Sequence, residues 1–135
     1  MIDVLWPKTK NGARLMNVAT DQVAGVLFIT AVFDEEVEQD IGYEEMYYSQ
    51  LNEGTIGFVI SSVEEITPYE LGLPKYTQAA TLLYADCCAD EDFIHDMYNR
   101  GNRLFVHHTK ERGEFIVLAK RLFFDESRPY KASDE

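Results

Sequence analysis

The longest apolar run in the chain, Val23–Phe33, has only Thr30 as a polar interruption. It is rich in β-branched and aromatic residues, which reads as a central buried strand. Upstream, Asn11-Gly12 is a type I′ turn signal between Ile2–Lys8 and Ala13–Ala19, so a hairpin is expected there. Pro7 would need an edge or a bulge in that hairpin. Thr20-Asp21-Gln22 supplies a second turn.

After Phe33 the pattern changes. Asp34 reads as the cap of a helix over about 35–51, with Val37, Ile41, Tyr48 and Leu51 on one side. Glu35, Glu36 and Glu38 would load its first turn, where the helix dipole favours negative charge. Gly42 weakens its middle, and Asn52 and Gly54 can end it. Thr55–Val63 reads as another strand, with Gly57 a candidate bulge. Thr67-Pro68-Tyr69-Glu70 is a capping box with Pro at the first helical position, and Gly72 and Pro74 stop that helix within a turn. Gln78–Tyr84 fits a buried strand or a short helix equally well. Asp90 caps a helix over Glu91–Arg100 with Phe93, Ile94, Met97 and Tyr98 on its apolar face, and Gly101 stops it. Arg103–Thr109 and Glu114–Phe124 form a hairpin around Lys110–Gly113.

These elements predict an α+β fold. An antiparallel sheet of about five to seven strands would carry two main helices on one face. The length fits one domain over 1–135, with 127–135 a fraying polar tail.

Composition adds one strong fact. The chain is 46% hydrophobic, enough for a core, yet its net charge is −12. Residues 15–99 hold seventeen acids against Lys75 alone, whereas both flanking stretches are slightly basic. Such a field disfavours nucleic acid and anionic lipid and attracts basic partners. There is no basic-then-apolar leader and no run long enough to span a bilayer. Cys87 and Cys88 are adjacent and offer no disulfide framework, so a reducing, cytoplasmic setting is expected.

The candidate partner-binding residues are the acids. Glu36, Asp40 and Glu44 are spaced by four and would stack on one helix face, flanked by Glu35, Glu38, Glu45 and Tyr47. Asp86, Asp90, Glu91 and Asp92 cluster at the second helix start, more acids than capping needs. The bland reading is a solvated face that keeps the protein soluble. The sharper one is a docking face for a basic surface, with carboxylates imitating DNA phosphates. Tyr43, Tyr47, Tyr48, Tyr69 and Tyr76 lie among the acids and suit either an interface or the core edge. The basic, aromatic end from Lys120 to Lys131 is expected to pair with the acidic surface, within the chain or in a second copy.

Catalytic and metal signals are sparse. Cys87, Cys88, His95, His107 and His108 match no zinc spacing, and His107 and His108 would face opposite sides of a strand. Ser61 and Ser62 lack a G-x-S-x-G elbow, and no P-loop or G-x-G-x-x-G occurs. No cofactor is expected. The composition is similar to that of small phage proteins that block host defence enzymes and of bacterial immunity proteins that block toxins, without a motif that ties it to either. The leading expectation is a non-enzymatic acidic binder that occludes a basic site, of nucleic-acid-mimic, inhibitor or immunity type. The alternatives are a structural or assembly protein, acidic only for solubility, and a small Cys/His or Ser/His enzyme.

Overall fold

Alternating burial organises the first third of the chain. Strands β1 (Ala13–Asp21) and β2 (Val26–Phe33) form a hairpin with Ala13, Leu15, Leu27, Ile29 and Ala31 turned inward. The structure is a computed structural model that describes residues 5–87 and 90–131. The apolar run does not begin the strand at Val23. The Asp21 carboxylate accepts the Val23 and Ala24 amides at 3.1 Å each, and Gly25 takes φ +67°, so a turn delays β2 to Val26. The type I′ turn expected at Asn11-Gly12 does not form: Gly12 takes φ +85°, but Asn11 does not take a positive φ, and the chain only bends there on its way into β1. Of the strand expected before it, Leu5–Lys8 is not in the sheet, and Ile2–Val4 lie outside the described residues.

The expected helix over 35–51 is overturned. Strand β3 (Val37–Glu44) and the two-residue β4 (Tyr48–Ser49) occupy this segment. Asp34 and Glu35 take φ +55° and +57° and form a tight turn from β2 into β3. Asp34 caps no helix. Its carboxylate accepts the Lys10 and Asn11 amides at 2.8 and 2.6 Å. A spacing of four serves either element, because four is also an even number. Ile41 and Tyr43 alternate inward, with Glu38, Asp40 and Glu44 on the opposite side.

Asn52 caps a 3-10 turn at Glu53–Thr55, and Gly57 at φ +98° leads into β5 (Val59–Ile66), later than the expected start at Thr55. The Thr67–Glu70 capping box forms. The Thr67 amide donates to Glu70 Oε1 (2.9 Å), and the Glu70 amide to Thr67 Oγ1 (3.2 Å). Two 3-10 turns follow, then helix α1 (Thr77–Cys87), which settles Gln78–Tyr84 as helical. Helix α2 (Glu91–Asn99) starts at Asp90, whose carboxylate accepts the Phe93 amide at 2.9 Å. Strands β6 (Arg103–Thr109) and β7 (Gly113–Ala119) form the expected hairpin. The segment then breaks at Lys120, and β8 (Arg121–Pro129) continues. Ser127–Pro129 therefore belong to a strand rather than to a fraying tail, while residues 132–135 lie outside the described ones.

The fold is thus α+β: among the described residues, one antiparallel sheet of eight strands ordered β4-β7-β6-β5-β1-β2-β3-β8, and two helices. That exceeds the expected five to seven strands: the presumed first helix became β3 and β4 and the expected last strand divides into β7 and β8, which outweighs the absence of Leu5–Lys8 from the sheet. The sheet also closes on itself. β3 runs into β4 and β7 into β8, while β3 pairs with β8 and β4 with β7. Inside lies one core, including Leu15, Ile29, Ile41, Tyr43, Ile60, Phe105 and Val117. Trp6 packs over it against Phe33 and Phe124 at ring separations of 5.2 and 5.7 Å. Outside, α1 and α2 cover one face of β5-β6-β7 through Leu83 and Ile94 against Ile66, Leu104, Val106, Ile116 and Leu118. No helix among the described residues is long and apolar enough to cross a membrane.

Candidate functional site

Cross-strand geometry decides the fate of the β3 acids. Glu44 stands opposite Arg121 and Glu38 opposite Arg128 in the β3–β8 ladder. Arg121 reaches Glu44 with two hydrogen bonds (2.9 and 2.6 Å). Arg128 donates to Glu38 (2.7 Å) and to both oxygens of Asp40 (3.1 and 2.9 Å), and Thr30 Oγ1 adds a bond to Asp40 (3.0 Å). Arg14 grips Glu35 through Nε and Nη2 at 2.9 and 2.8 Å. The adjacent guanidinium groups hold the Glu35, Asp40 and Glu44 carboxyls below the usual carboxylate range. Of the row expected on one helix face, Asp40 and Glu44 therefore lie on a strand face, with Glu38, neutralised by Arg121 and Arg128 of the chain's own C-terminal strand, and Glu36 falls outside the strand. Glu36 and Glu45 are exposed and make no ion pair among the described residues.

The second group of acids has no such partners. Asp86 at the end of α1 and Asp90, Glu91 and Asp92 at the start of α2 are all exposed, and no base pairs with them among the described residues. Tyr47 is half-exposed and packs on Phe93 of α2 at 5.7 Å, which brings the β3–β4 corner to this junction. Tyr48 donates its hydroxyl to Asp86 at 2.7 Å, and burial followed by that carboxylate raises the Tyr48 pKa. Of the other tyrosines expected among the acids, Tyr43 and Tyr76 are buried core residues and Tyr69 is 80% exposed.

The histidines separate as strand alternation demands. His107 points inward and is fully buried. Its Nδ1–H donates to the Phe115 carbonyl (3.0 Å), so Nε2 accepts from Tyr43 Oη at 2.6 Å. His108 points outward, between Glu64 (3.1 Å) and Glu114 (3.4 Å). Tyr76 also donates to Glu64. Ser61 Oγ is spent on the His108 carbonyl at 3.0 Å. Cys87 is half-buried at the end of α1, and Cys88 lies outside the described residues. Among the described residues no group of three or more His, Cys, Asp or Glu is placed to hold a metal ion.

Two concavities matter. An open groove of about 900 Å³ runs between β5 and β8, lined by Leu5, Pro7, Val63, Glu65, Leu122 and Phe124 among others. A smaller and more enclosed cavity of about 200 Å³ lies between α1, α2 and the turn before α1. Its walls are Pro68, Tyr69, Gly72, Tyr84, Glu91, Ile94 and His95. The spacing of Glu91, Ile94 and His95 (i, i+3, i+4) was the available sequence signal, and it puts all three on one face of α2. What pairs them with Tyr69 is a loop path that no local pattern encodes.

Comparison of the chain with protein-family models, with curated protein sequences and with solved structures finds no match in any of the three.

Proposed function

We propose that this chain is a non-enzymatic binding protein that occludes a basic site on a protein partner through the α1–α2 junction. The observation that carries this reading is the set of Asp86, Asp90, Glu91 and Asp92, exposed and without a basic partner among the described residues. A protein that pairs its β3 acids with Arg121 and Arg128 and leaves these four without a base among the described residues holds concentrated negative charge at one place. Tyr47 beside Phe93 adds contact area at low entropic cost. The surface is compact rather than a row, which favours covering one basic site over imitating a track of phosphates. The physical consequence is fast, salt-sensitive association.

The test compares location at constant charge. Asp86→Lys, Glu91→Lys and Asp92→Lys together spare the Asp90 cap. Glu53→Lys, Asp125→Lys and Glu126→Lys change net charge equally at other exposed positions. Partners are captured from the native host at low and high salt and identified by mass spectrometry. The leading partner is then purified and its affinity measured. The junction variant is expected to lose at least about tenfold, as for charges at an interface centre, and the control variant little. Equal losses would reduce the acidity to a solubility device.

A further inference from the structure

We propose that the cavity walled by Tyr69, Tyr84, His95 and Glu91 is a cage for an organic cation, the ammonium or guanidinium head of a partner's lysine or arginine. This deepens the function proposed above and rests on it for the source of the cation, not for the chemistry of the cavity.

The walls specify the guest. Tyr69, on the turn before α1, is 80% exposed, yet its ring is placed by an edge contact with His95 at 4.7 Å. Tyr84 comes from α1, and Glu91 and His95 from one face of α2. Aromatic faces attract cations through the ring quadrupole, and a carboxylate at the wall supplies the countercharge. Glu91 makes no ion pair among the described residues, so its charge is open to a guest. Burial raises the Tyr84 pKa, and Glu91 and Asp90 raise it further, in the negative field that would stabilise a cation in the cavity.

Other guests fit worse. Among the described residues no lysine or arginine lines the cavity and the Glu91 carboxylate does, so an anion would meet repulsion with no full cation to offset it. Among the described residues the cavity offers two metal-type donors, Glu91 and His95, fewer than the three or four a zinc site requires. At about 200 Å³ the cavity has room for a head group. Drug-sized ligands occupy roughly 300–1,000 Å³. Asp90 and Asp92 flank Glu91 at the adjoining surface and would concentrate cations at the entrance.

The test uses small probes and needs no partner. N-acetyl-arginine methylamide, N-acetyl-lysine methylamide and the uncharged N-acetyl-norleucine methylamide are titrated into the labelled protein. The NMR signals of Tyr69, Tyr84, Glu91 and His95 are followed. One or both cations should shift these signals saturably, and the arginine and lysine arms show which head group is preferred. Glu91→Gln should weaken the cation about tenfold. Tyr69→Ala should weaken it about threefold or more while Tyr69→Phe retains it. These side chains are exposed, and circular dichroism confirms folding of each variant. Shifts no larger than with norleucine, or unaltered in Glu91→Gln, overturn the cage. Cage binding with no effect of the junction variant on the captured partner would sink the proposed function and leave the cage. The reverse result would sink the cage alone.

Discussion

The Tyr43 hydroxyl lies 2.6 Å from His107 Nε2, joining two strands that stand four places apart in the sheet. Strands spaced about 4.8 Å apart in a flat sheet would hold these residues nearly 20 Å apart. The bond therefore records how tightly the sheet curls. Both groups are fully buried, and the second histidine nitrogen is already spent on the Phe115 carbonyl. Tyr43→Phe leaves His107 Nε2 buried without a donor and should cost about 1–3 kcal/mol. Urea denaturation of Tyr43→Phe, His107→Leu and the double variant checks this. The double variant should cost less than the two single losses together, since it removes both ends of the Tyr43–His107 bond at once and only the Phe115 carbonyl loses a side-chain donor.

The same histidine sets a pH dependence. Burial lowers its pKa from 6.5 to about 4. Between those values the unfolded chain binds the proton and the folded chain does not, so stability falls as pH drops through this window. The full effect is roughly 3 kcal/mol at 1.36 kcal/mol per pH unit. Glu35, Asp40 and Glu44 act at lower pH. Their folded pKa values lie below the unfolded ones, so their contribution is present above the unfolded pKa and is lost as pH falls through the folded one. The midpoint of urea unfolding, followed from pH 7 to pH 4.5, should decline in the natural protein and stay flatter in His107→Leu. Equal slopes would assign the decline to other groups.

How far the chain can be read without coordinates depends on the element. Capping signals are local, so Asp90 and the Thr67–Glu70 box form as their side-chain chemistry predicts. The Glu36, Asp40 and Glu44 spacing misled because it satisfies two periods at once. The arbiters lie far away in sequence: Arg121 and Arg128 on β8, and Phe123 over Gly42. The acidic character of the candidate face was legible from composition. Its division into a neutralised strand and an open helix junction was not, because pairings across about eighty residues leave no local mark.

Charge reversal on β3 now carries a folding cost. On a solvated helix, Asp40→Lys and Glu44→Lys would leave stability nearly untouched. On β3 they set lysines against Arg128 and Arg121 and remove the acceptor for Thr30 Oγ1. Each pair is partly exposed, with side-chain accessibilities of 27–61% for these groups, so each loss alone is modest. With a like charge set opposite Arg121 and another beside Arg128, the double reversal should lower the urea-unfolding midpoint more than either single reversal. Part of that penalty should disappear in 0.5 M salt. A double variant as stable as the natural protein in low salt would show that the ladder contributes nothing.

Gly42 gives the sharpest steric prediction. It sits inside β3, two residues before its end, where glycine weakens a strand by leaving no side chain to pack. Phe123 on β8 is its ladder partner and lays its ring across it. A Cβ built on Gly42 would meet that ring at 2.3 Å, closer than any real contact. The φ of Gly42 needs no glycine, so the obstacle to a side chain here is the ring alone. Gly42→Ala should push Phe123 into solvent, at a cost of about 1–3 kcal/mol typical of overpacking. Removing the ring first, with Phe123→Ala, should render Gly42→Ala neutral or slightly stabilising, because alanine suits a strand better than glycine once the space is free. A thermodynamic cycle over the four proteins reads the coupling directly. If the two costs add, the ring and the glycine are independent, and Phe123 does not secure this part of β3.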